Sequence, residues 1–155
     1  KPILKKITPE VSFFWKDKET GVKCKGRVDG ASSAERIIVD LKTTKSAKDF
    51  AKSVVDYGYH RQAAFYRRGL KAVTNVDMVN WQWWCVETAS PFTIGVYSPS
   101  VEMIEIANRE IDESLFDLSI CQNKKEYPSL PKEVQILDLP SWYISKQKPQ
   151  EIRSI

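Results

Sequence analysis

Three consecutive β-branched residues at positions 37–39 predict a buried strand that runs from Arg36 to Lys42. Two charged residues, Asp40 and Lys42, lie in this otherwise apolar segment. Because side chains alternate across a strand, both project from one face, roughly 6 to 7 Å apart. A carboxylate and an ammonium group are therefore expected together at the edge of a hydrophobic core.

The rest of the sequence predicts a mixture of strands and helices. Alternating apolar residues from Glu10 to Trp15, followed by a turn at 17–21, predict a β-hairpin. Ser46 and Ser98 are the predicted N-caps of the first and last helices. We expect the elements in the order strand 10–15, strand 22–29, strand 36–42, helix 46–56, helix 59–71, strand 78–87, strand 92–97 and helix 98–122.

Size and composition indicate one compact domain. The chain has 155 residues, 42% of them hydrophobic and 28% charged, and it contains no run of roughly 18 apolar residues that could span a membrane. Its lysine-rich start is not followed by the apolar segment of a secretory signal. The three cysteines lack the spacing of a zinc site. We expect an intracellular protein with reduced cysteines and no membrane partner.

Positive charge is concentrated in the first half of the chain. Residues 1–71 contain 17 Lys and Arg against 8 Asp and Glu, whereas residues 72–155 contain 7 against 12. A basic excess on one part of a protein is typical of a surface that binds a polyanion such as nucleic acid. A solvated lysine-rich surface without such a partner is the alternative.

Two aspartates are candidates to hold a metal ion together. Asp29 ends the second predicted strand, and if that strand pairs with the third across a short turn at 30–33, its carboxylate converges with that of Asp40. Two carboxylates, completed by water and a backbone carbonyl, are typical Mg²⁺ ligands. Lys42 would then position or help deprotonate a water molecule and stabilise charge on a phosphate. The alternative is a strand-end aspartate beside an ordinary Asp40–Lys42 ion pair.

Three segments, in order, resemble the motifs of the PD(D/E)XK nuclease superfamily. They are Gly26-Arg27-Val28-Asp29-Gly30, Val39-Asp40-Leu41-Lys42-Thr43-Thr44 and Tyr59-His60-Arg61-Gln62-Ala63-Ala64-Phe65-Tyr66. Their order is similar to that of the RecB-like branch, and most similar to RecE-type (exodeoxyribonuclease VIII) and phage lambda-type recombination exonucleases. The resemblance implies an α/β protein with a restriction-endonuclease-like core, in which a mixed central β-sheet is flanked by helices.

The resemblance also implies roles for individual residues. Asp29 and Asp40 match the metal ligands, and the carbonyl of Leu41 is the implied third ligand. Gln62 and Tyr66 lie four residues apart, hence on one helix face, and match the QxxxY pair that borders the site in the family. Without the resemblance, Tyr66 would be interpreted as a core residue. The predicted catalytic set is Asp29, Asp40, Lys42, Gln62 and Tyr66.

Basic residues near this set are the predicted DNA contacts, although each one alone is more often a plain surface residue. An i, i+2 offset turns His60 away from Gln62 on a helix, so packing and phosphate contact are both open for it. The predicted DNA-binding residues are Lys23, Lys25, Arg27, Lys45 and His60.

Three tryptophans follow in the fourth strand. Stacking on unpaired bases is one interpretation of them, but burial in the core is favoured, because Trp81 and Trp83 share a strand face and Trp84 takes the other.

Two features depart from the family pattern. Val28 stands where the family usually has a proline, which leaves the metal-binding carboxylate in place. The family's N-terminal helix, which supplies a further Glu or His to the metal, does not precede Lys1; Glu10 is a substitute ligand, although a solvent-facing position is favoured for it. We therefore predict a PD(D/E)XK exonuclease-like domain at 1–142 that lacks this helix, and a C-terminal tail at 143–155.

The function that the resemblance implies is a Mg²⁺-dependent exonuclease, with Mn²⁺ as a substitute, that digests linear double-stranded DNA from its ends for recombination or repair. It implies the cytoplasm of a bacterial or phage-infected cell, and DNA ends, a single-strand annealing protein and further copies of the chain as partners. Two alternatives stay open. One is a RecB-like nuclease that acts on single strands or within a larger complex, and the other is an inactive nuclease-fold module that binds DNA.

Overall fold

The computed structural model describes residues 3–147, apart from the side chain of residue 147, and divides the chain into two compact units. The first unit is Lys1–Lys125 and the second is Glu126–Ile155. The tail boundary at 142 stays a prediction, and residues 148–155 of that tail lie outside the described residues. Within the described range, no helix is long and apolar enough to cross a membrane.

A mixed five-stranded sheet forms the centre of the first unit. The strands lie side by side in chain order, and every neighbouring pair is antiparallel except the third and fourth, which are parallel. A parallel pair requires a crossover connection, which two helices provide here. The strands are β1 (Thr8–Lys16), β2 (Lys23–Ser32), β3 (Ile37–Thr44), β4 (Asn80–Glu87) and β5 (Ile94–Tyr97).

Helices cover one face of this sheet. The longest crossover helix packs on β1 and β2 and against the last helix of the unit. Ala63 and Ala64 are fully buried, and their small side chains allow the helix to approach the sheet closely. The predicted fold class, a mixed sheet flanked by helices, is therefore confirmed. The helices are α1 (Phe50–Asp56), α2 (Tyr59–Thr74), α3 (Val101–Lys124) and, in the second unit, α4 (Ser141–Gln147); a 3-10 turn (Ile3–Lys6) precedes β1.

The predicted turn between β2 and β3 is wrong by three residues. Ala31 and Ser32 still pair with Ile38 and Ile37, so the strand continues past Asp29 and the chain turns at 33–36. Long-range pairing has here extended a strand through a segment whose small residues, taken locally, favour a turn.

Two predicted helix starts are also wrong. The hydroxyl of Ser46 accepts a hydrogen bond from the amide of Asp49 and donates one to its carboxylate, at 3.3 and 2.9 Å, so it closes a turn and the helix begins only after Asp49. The last helix is capped by Ser100 instead of Ser98, and the Ser100 hydroxyl accepts a hydrogen bond of 3.1 Å from the amide three residues later.

The side-chain alternation of β2 is interrupted at Asp29. Val28 and Ala31 both lie in the core, although a regular strand would place residues three apart on opposite faces. Across the sheet, Glu10 has a φ of 56°, and Glu10 and Asp29 are left out of the otherwise continuous β1–β2 register. Because of this local distortion, the side chain of Asp29 is oriented differently from that of the same residue in a regular strand.

Close packing requires a glycine two strand positions before Val28. A Cβ at Gly26 would collide with the ring of Phe13 and lie 3.1 Å from Cδ1 of Tyr66. The absence of a side chain at Gly26 therefore allows Tyr66 of α2 to pack against β2, the strand that carries Asp29.

The sheet face opposite the helices is apolar and open. An open groove of about 720 Å³ lies there, and several of its side chains are more than half exposed, among them Leu41, Ile94 and Val96. The acidic residues predicted to be functional do not line this groove. Its walls are formed by Ile3, Leu4, Leu41, Lys42, Thr43, Trp84, Val86, Ile94 and Val96.

Candidate functional site

A buried ion pair occupies the middle of the helix-covered sheet face. Asp40 is only 3% exposed, and the side chain of Lys42 is 14% exposed. Nζ of Lys42 lies 2.5 Å from Oδ2 of Asp40. On the parallel neighbour β4, Trp83 lies beside Asp40 and Cys85 beside Lys42. The two charged residues therefore share one face, as their spacing predicts, but they lie deeper than the edge of the core.

The environment of Asp40 disfavours its negative charge. Burial raises the pKa of the Asp40 carboxyl, the ammonium of Lys42 opposes that rise, and the negative charge of Asp29 adds to it. An ionised carboxylate in such a place is stabilised by any further cation that reaches it. The site therefore favours a positively charged ligand.

Asp29 reaches the same place from β2. The β2–β3 pairing ends at Gly30 and Val39, and continuing that register would put Asp29 opposite Asp40. In place of a backbone partner, the amide of Leu41 donates a hydrogen bond of 2.7 Å to Oδ2 of Asp29. Asp29 is thus an interior residue of β2, not its last, and its carboxylate is tied to the backbone between Asp40 and Lys42.

One face of α2 is directed at this part of the sheet. The ring of Tyr59 lies over Nζ of Lys42, with 4.5 Å between Nζ and the ring centroid. Two turns later, Tyr66 makes an edge contact with Phe13, with ring centroids 5.7 Å apart, and it packs on the core. Gln62 lies between them on the same helix face. Gln62 thus shares a face of α2 with Tyr59, which covers Lys42, and with Tyr66, which packs against the core.

Oε1 of Gln62 is a buried acceptor without a hydrogen-bond partner. Oδ2 of Asp40, by contrast, is balanced by the ammonium group of Lys42. Buried acceptors are usually satisfied, so Oε1 of Gln62 can accept a hydrogen bond from an ordered water molecule. The carboxylate and amide oxygens on this face are the ligand type that Mg²⁺ prefers.

The donor set fits a divalent cation with few protein ligands. Among residues 3–147, no group of three or more His, Cys, Asp or Glu side chains is arranged to hold a metal. Asp29 and Asp40 would supply two carboxylates, and Mg²⁺ is commonly bound by one or two carboxylates with water completing its shell. Glu10, the substitute ligand, forms an ion pair with Arg27.

The predicted DNA contacts are dispersed. Lys23 and Lys25 are exposed on the sheet face away from the helices, and Lys45 is exposed just beyond β3. Arg27 is engaged by Glu10. None of these four side chains belongs to the helix-covered face that carries Asp40.

His60 occupies a helix interface. Its Nδ1 lies 3.2 Å from the carbonyl oxygen of Val54 and its Nε2 lies 3.0 Å from Oε2 of Glu110. Its side chain is 13% exposed, which agrees with the packing interpretation of this residue.

The tryptophans of β4 divide between the two faces of the sheet. Trp81 and Trp83 are 2% and 1% exposed and belong to the core, as the favoured interpretation predicts. Trp84 is half-buried in the open groove on the other face.

Sequence reasoning missed two neighbours of the ion pair. Tyr59 was detectable, because it precedes Gln62 by three residues and so shares its helix face. Cys85 was not detectable, because its place beside Lys42 follows from the β3–β4 register. Burial raises the pKa of the Cys85 thiol to about 11, the charge of Asp40 adds to the rise and that of Lys42 opposes it, so the thiol stays protonated at neutral pH.

Comparison with known proteins gives a family and a fold. A family model described as "PDDEXK-like domain of unknown function (DUF3799)" matches residues 8–140. No curated protein matches the chain. The fold is similar to that of a crystal structure from Eubacterium rectale named "Putative exonuclease", with a TM-score of 0.63 and 16% identity over 96% of this chain.

The chain spans 60% of the length of that Eubacterium rectale protein. A second crystal structure, of SSO0001, shares 18% identity over 85% of this chain and 57% of its own, with a TM-score of 0.45, which is too low to indicate a common fold.

Proposed function

The chain belongs to the PDDEXK-like family DUF3799, and from that premise we propose that it is a metal-dependent nuclease that hydrolyses DNA from its ends. PDDEXK nucleases generally use divalent metals. The observation that carries the proposal is the convergence of Asp29, Asp40 and Lys42 beneath α2, with one aspartate tied to the backbone between the other two. A carboxylate pair can hold a metal ion for phosphodiester hydrolysis, and a neighbouring lysine adds positive charge beside it.

Each residue of this set has a role that its surroundings support. Asp29, Asp40 and the carbonyl of Leu41 would hold Mg²⁺ or Mn²⁺, which supplies a Lewis acid and an activated water molecule when bound. Lys42 presents a positive charge beside them, where it can orient water and stabilise negative charge on a phosphate oxygen. Gln62, whose buried Oε1 has no hydrogen-bond partner, would accept a hydrogen bond from a water molecule on this face of α2.

The finer features of the proposal come from the motif resemblance. They are digestion of duplex ends, a role in recombination or repair in a bacterial or phage-infected cytoplasm, a strand-annealing partner and assembly with further copies of the chain. Lys23, Lys25 and Lys45 are the exposed cations that would contact the DNA backbone. Gln62 and Tyr66, as a QxxxY pair, support an end-processing enzyme over a site-specific endonuclease.

One observation favours an inactive DNA-binding module as the second candidate. Among the described residues, Asp29 and Asp40 are not joined by a third His, Cys, Asp or Glu side chain that could hold a metal. Such a module would bind DNA equally well with and without a divalent cation, whereas the nuclease needs the cation for cleavage.

The test compares one DNA in two forms. With Mg²⁺ present, we expect the protein to degrade linear duplex DNA and to leave covalently closed circles of the same sequence intact. Asp40→Ala should abolish the degradation, because it removes a predicted metal ligand. Asp56→Ala, which removes an exposed aspartate at the end of α1, is the matched control and should leave the rate unchanged.

Three results would contradict parts of this proposal. Nicking of closed circles at a rate comparable to loss of linear DNA would exclude the exonuclease and leave a nuclease. Cleavage that persists in Asp40→Ala would remove the site assignment. Metal-independent binding without any cleavage of linear or single-stranded DNA would favour the inactive module.

A further inference from the structure

Lys42 is held from two sides. Its Nζ lies 2.5 Å from Oδ2 of Asp40 and 4.5 Å from the ring centroid of Tyr59. A cation within about 6 Å of an aromatic centroid is attracted by the electron-rich face of the ring. The side chain is also largely shielded from water, which strengthens such an attraction. The ammonium group is therefore fixed between a carboxylate and an aromatic face.

The ring of Tyr59 is itself held by other aromatic residues. Phe50 of α1 stacks on it, with ring centroids 5.9 Å apart and an angle of 26° between the planes. Phe50 stacks in turn on Tyr97 of β5, at 5.4 Å and 19°. The ring of the exposed Tyr57 also lies near that of Tyr59, with 5.5 Å between the centroids. Through Phe50, Tyr59 is thus connected to Tyr97 on the last strand of the sheet.

The backbone at Tyr59 is equally restrained. Gly58 adopts a left-handed conformation, with a φ of 66°, that starts α2 at Tyr59. The next residue, His60, contacts the carbonyl of Val54 on α1 and the carboxylate of Glu110 on α3. The first turn of α2 is therefore held in place by contacts with both α1 and α3. These contacts restrict movement of the Tyr59 ring away from Lys42.

We propose that Tyr59 is a positioning residue for Lys42, and this inference rests on the proposed nuclease function. A divalent cation bound by Asp40 would compete with Lys42 for the same carboxylate oxygen. An aromatic face is not a ligand for Mg²⁺, so the Tyr59 ring remains available to the ammonium group. Tyr59 acts through Lys42 and is not assigned a contact with DNA.

The contact can be measured without metal or DNA. An aromatic ring shifts protons above its face upfield, so the ε-methylene protons of Lys42 should resonate upfield of the other lysines in a spectrum of lysine-labelled, metal-free protein. Lys42→Arg identifies the signal by removing it. We expect Tyr59→Phe to preserve the upfield position and Tyr59→Leu to abolish it, while Tyr57→Leu, which removes a neighbouring ring that does not cover Lys42, preserves it.

The role is measured by kinetics on linear DNA. We expect Tyr59→Leu to lower kcat about tenfold, a change equivalent to ~1.4 kcal/mol of barrier, with KM nearly unchanged. Tyr59→Phe keeps the ring and should retain most of the kcat of the unsubstituted protein. If the hydroxyl group of Tyr59 were responsible instead, Tyr59→Phe would lower kcat as much as Tyr59→Leu does. Tyr59→Met provides a second replacement without a ring if Tyr59→Leu fails to fold, as judged by thermal unfolding.

Each result bears on the inference in a defined way. An upfield Lys42 signal together with a loss of kcat that only ring-free variants show supports it. Absence of the upfield signal in the unsubstituted protein, or an unchanged kcat in folded Tyr59→Leu and Tyr59→Met, overturns it. An upfield signal in a protein that cleaves no DNA refutes the nuclease function and reduces the contact to a structural one.

Discussion

At Asp40, the requirements of folding and of the proposed chemistry are opposed. Burial and the charge of Asp29 raise the pKa of this carboxyl even though Lys42 is beside it. The folded state therefore binds a proton at Asp40 more tightly than the unfolded state does. The stability that this proton contributes is fully present below the ordinary value of 3.8 and is lost as the pH rises through the raised pKa.

Asp40→Asn should therefore stabilise the metal-free protein at neutral pH. Asparagine resembles the protonated aspartate in shape and leaves the charge of Lys42 in place, so the variant avoids the cost of an ionised group. Denaturant unfolding at several pH values measures this, and the advantage of the variant should grow as the pH rises from 3.8 through the raised pKa of Asp40. The same variant should lose cleavage by about 10³-fold, the scale of a lost metal contribution of several kcal/mol.

Asp56→Asn is the control for the stability measurement, because Asp56 is exposed. An Asp40→Asn variant that is less stable than the unsubstituted protein at neutral pH would show that the ion pair with Lys42 outweighs burial.

Sequence alone was sufficient for part of the site. Strand periodicity placed Asp40 and Lys42 on one face, and helix periodicity placed Gln62 and Tyr66 on one face, because these relations are local. The hydrogen bond from the amide of Leu41 to Asp29 was not predictable. It depends on where two strands stop pairing, which is determined by contacts far apart in the sequence.

The turn between β1 and β2 is closed by the side chain of Asp17. One of its oxygens accepts hydrogen bonds from the amide and the hydroxyl of Thr20, at 2.9 and 2.7 Å. Partial burial acts to raise the pKa of Asp17, but the hydrogen bonds from Thr20 and Glu19 and the charge of Arg68 together outweigh it and the pKa is lowered. The side chain of Asp17 therefore stabilises the turn more strongly when it is ionised than when it is protonated.

Asp17→Ala should destabilise the protein by about 1–2 kcal/mol at neutral pH, the size expected for hydrogen bonds to a charged group. Because the pKa is lowered on folding, this contribution is present above 3.8 and is lost as the pH falls through the folded-state pKa. Thermal unfolding at neutral and acidic pH measures both effects. Lys18→Ala, at an exposed position in the same turn, should change little; an equal loss in both variants would show that turn flexibility, not the carboxylate, is responsible.

At the level of elements, the sequence predicted order and type better than ends. Every predicted strand and helix of the first unit is present, because long apolar patterns determine which face of an element is buried. The observed ends differ from the predicted ones where a strand pairs with a segment distant in the sequence, as at Ser32. They also differ where two nearby serines are both suitable N-caps, as at Ser98 and Ser100.

The two faces of the sheet give the first unit two different surfaces. The helix-covered face holds the acidic pair and the core, whereas the other face presents the apolar groove and the exposed lysines of β2. Lys23 and Lys25 are exposed there, while Arg27 is partly neutralised by Glu10. Lys23 and Lys25 thus place part of the positive charge of the first half of the chain on this face.

Replacing both Lys23 and Lys25 with alanine should weaken duplex binding and reduce the slope of log affinity against log salt by about two, because each lost phosphate contact removes nearly one unit. Binding in Ca²⁺ over a series of salt concentrations measures the slope. The control is Lys124→Ala at the end of α3, in the acidic half of the chain. A slope that stays constant in the double variant would place the DNA on another surface.

The hydrogen bond from the amide of Leu41 to the carboxylate of Asp29 makes the exchange of one amide hydrogen a measure of how firmly the acidic pair is held. A backbone amide in a regular ladder exchanges with deuterium when the ladder opens, but the Leu41 amide is protected by a side chain at the point where the ladder ends. If it exchanges only on global unfolding, the acidic pair is part of the most cooperative region of the protein. If it exchanges by local opening, the pair can separate while the rest of the sheet stays intact, and the first unit then contains a movable carboxylate within a rigid frame.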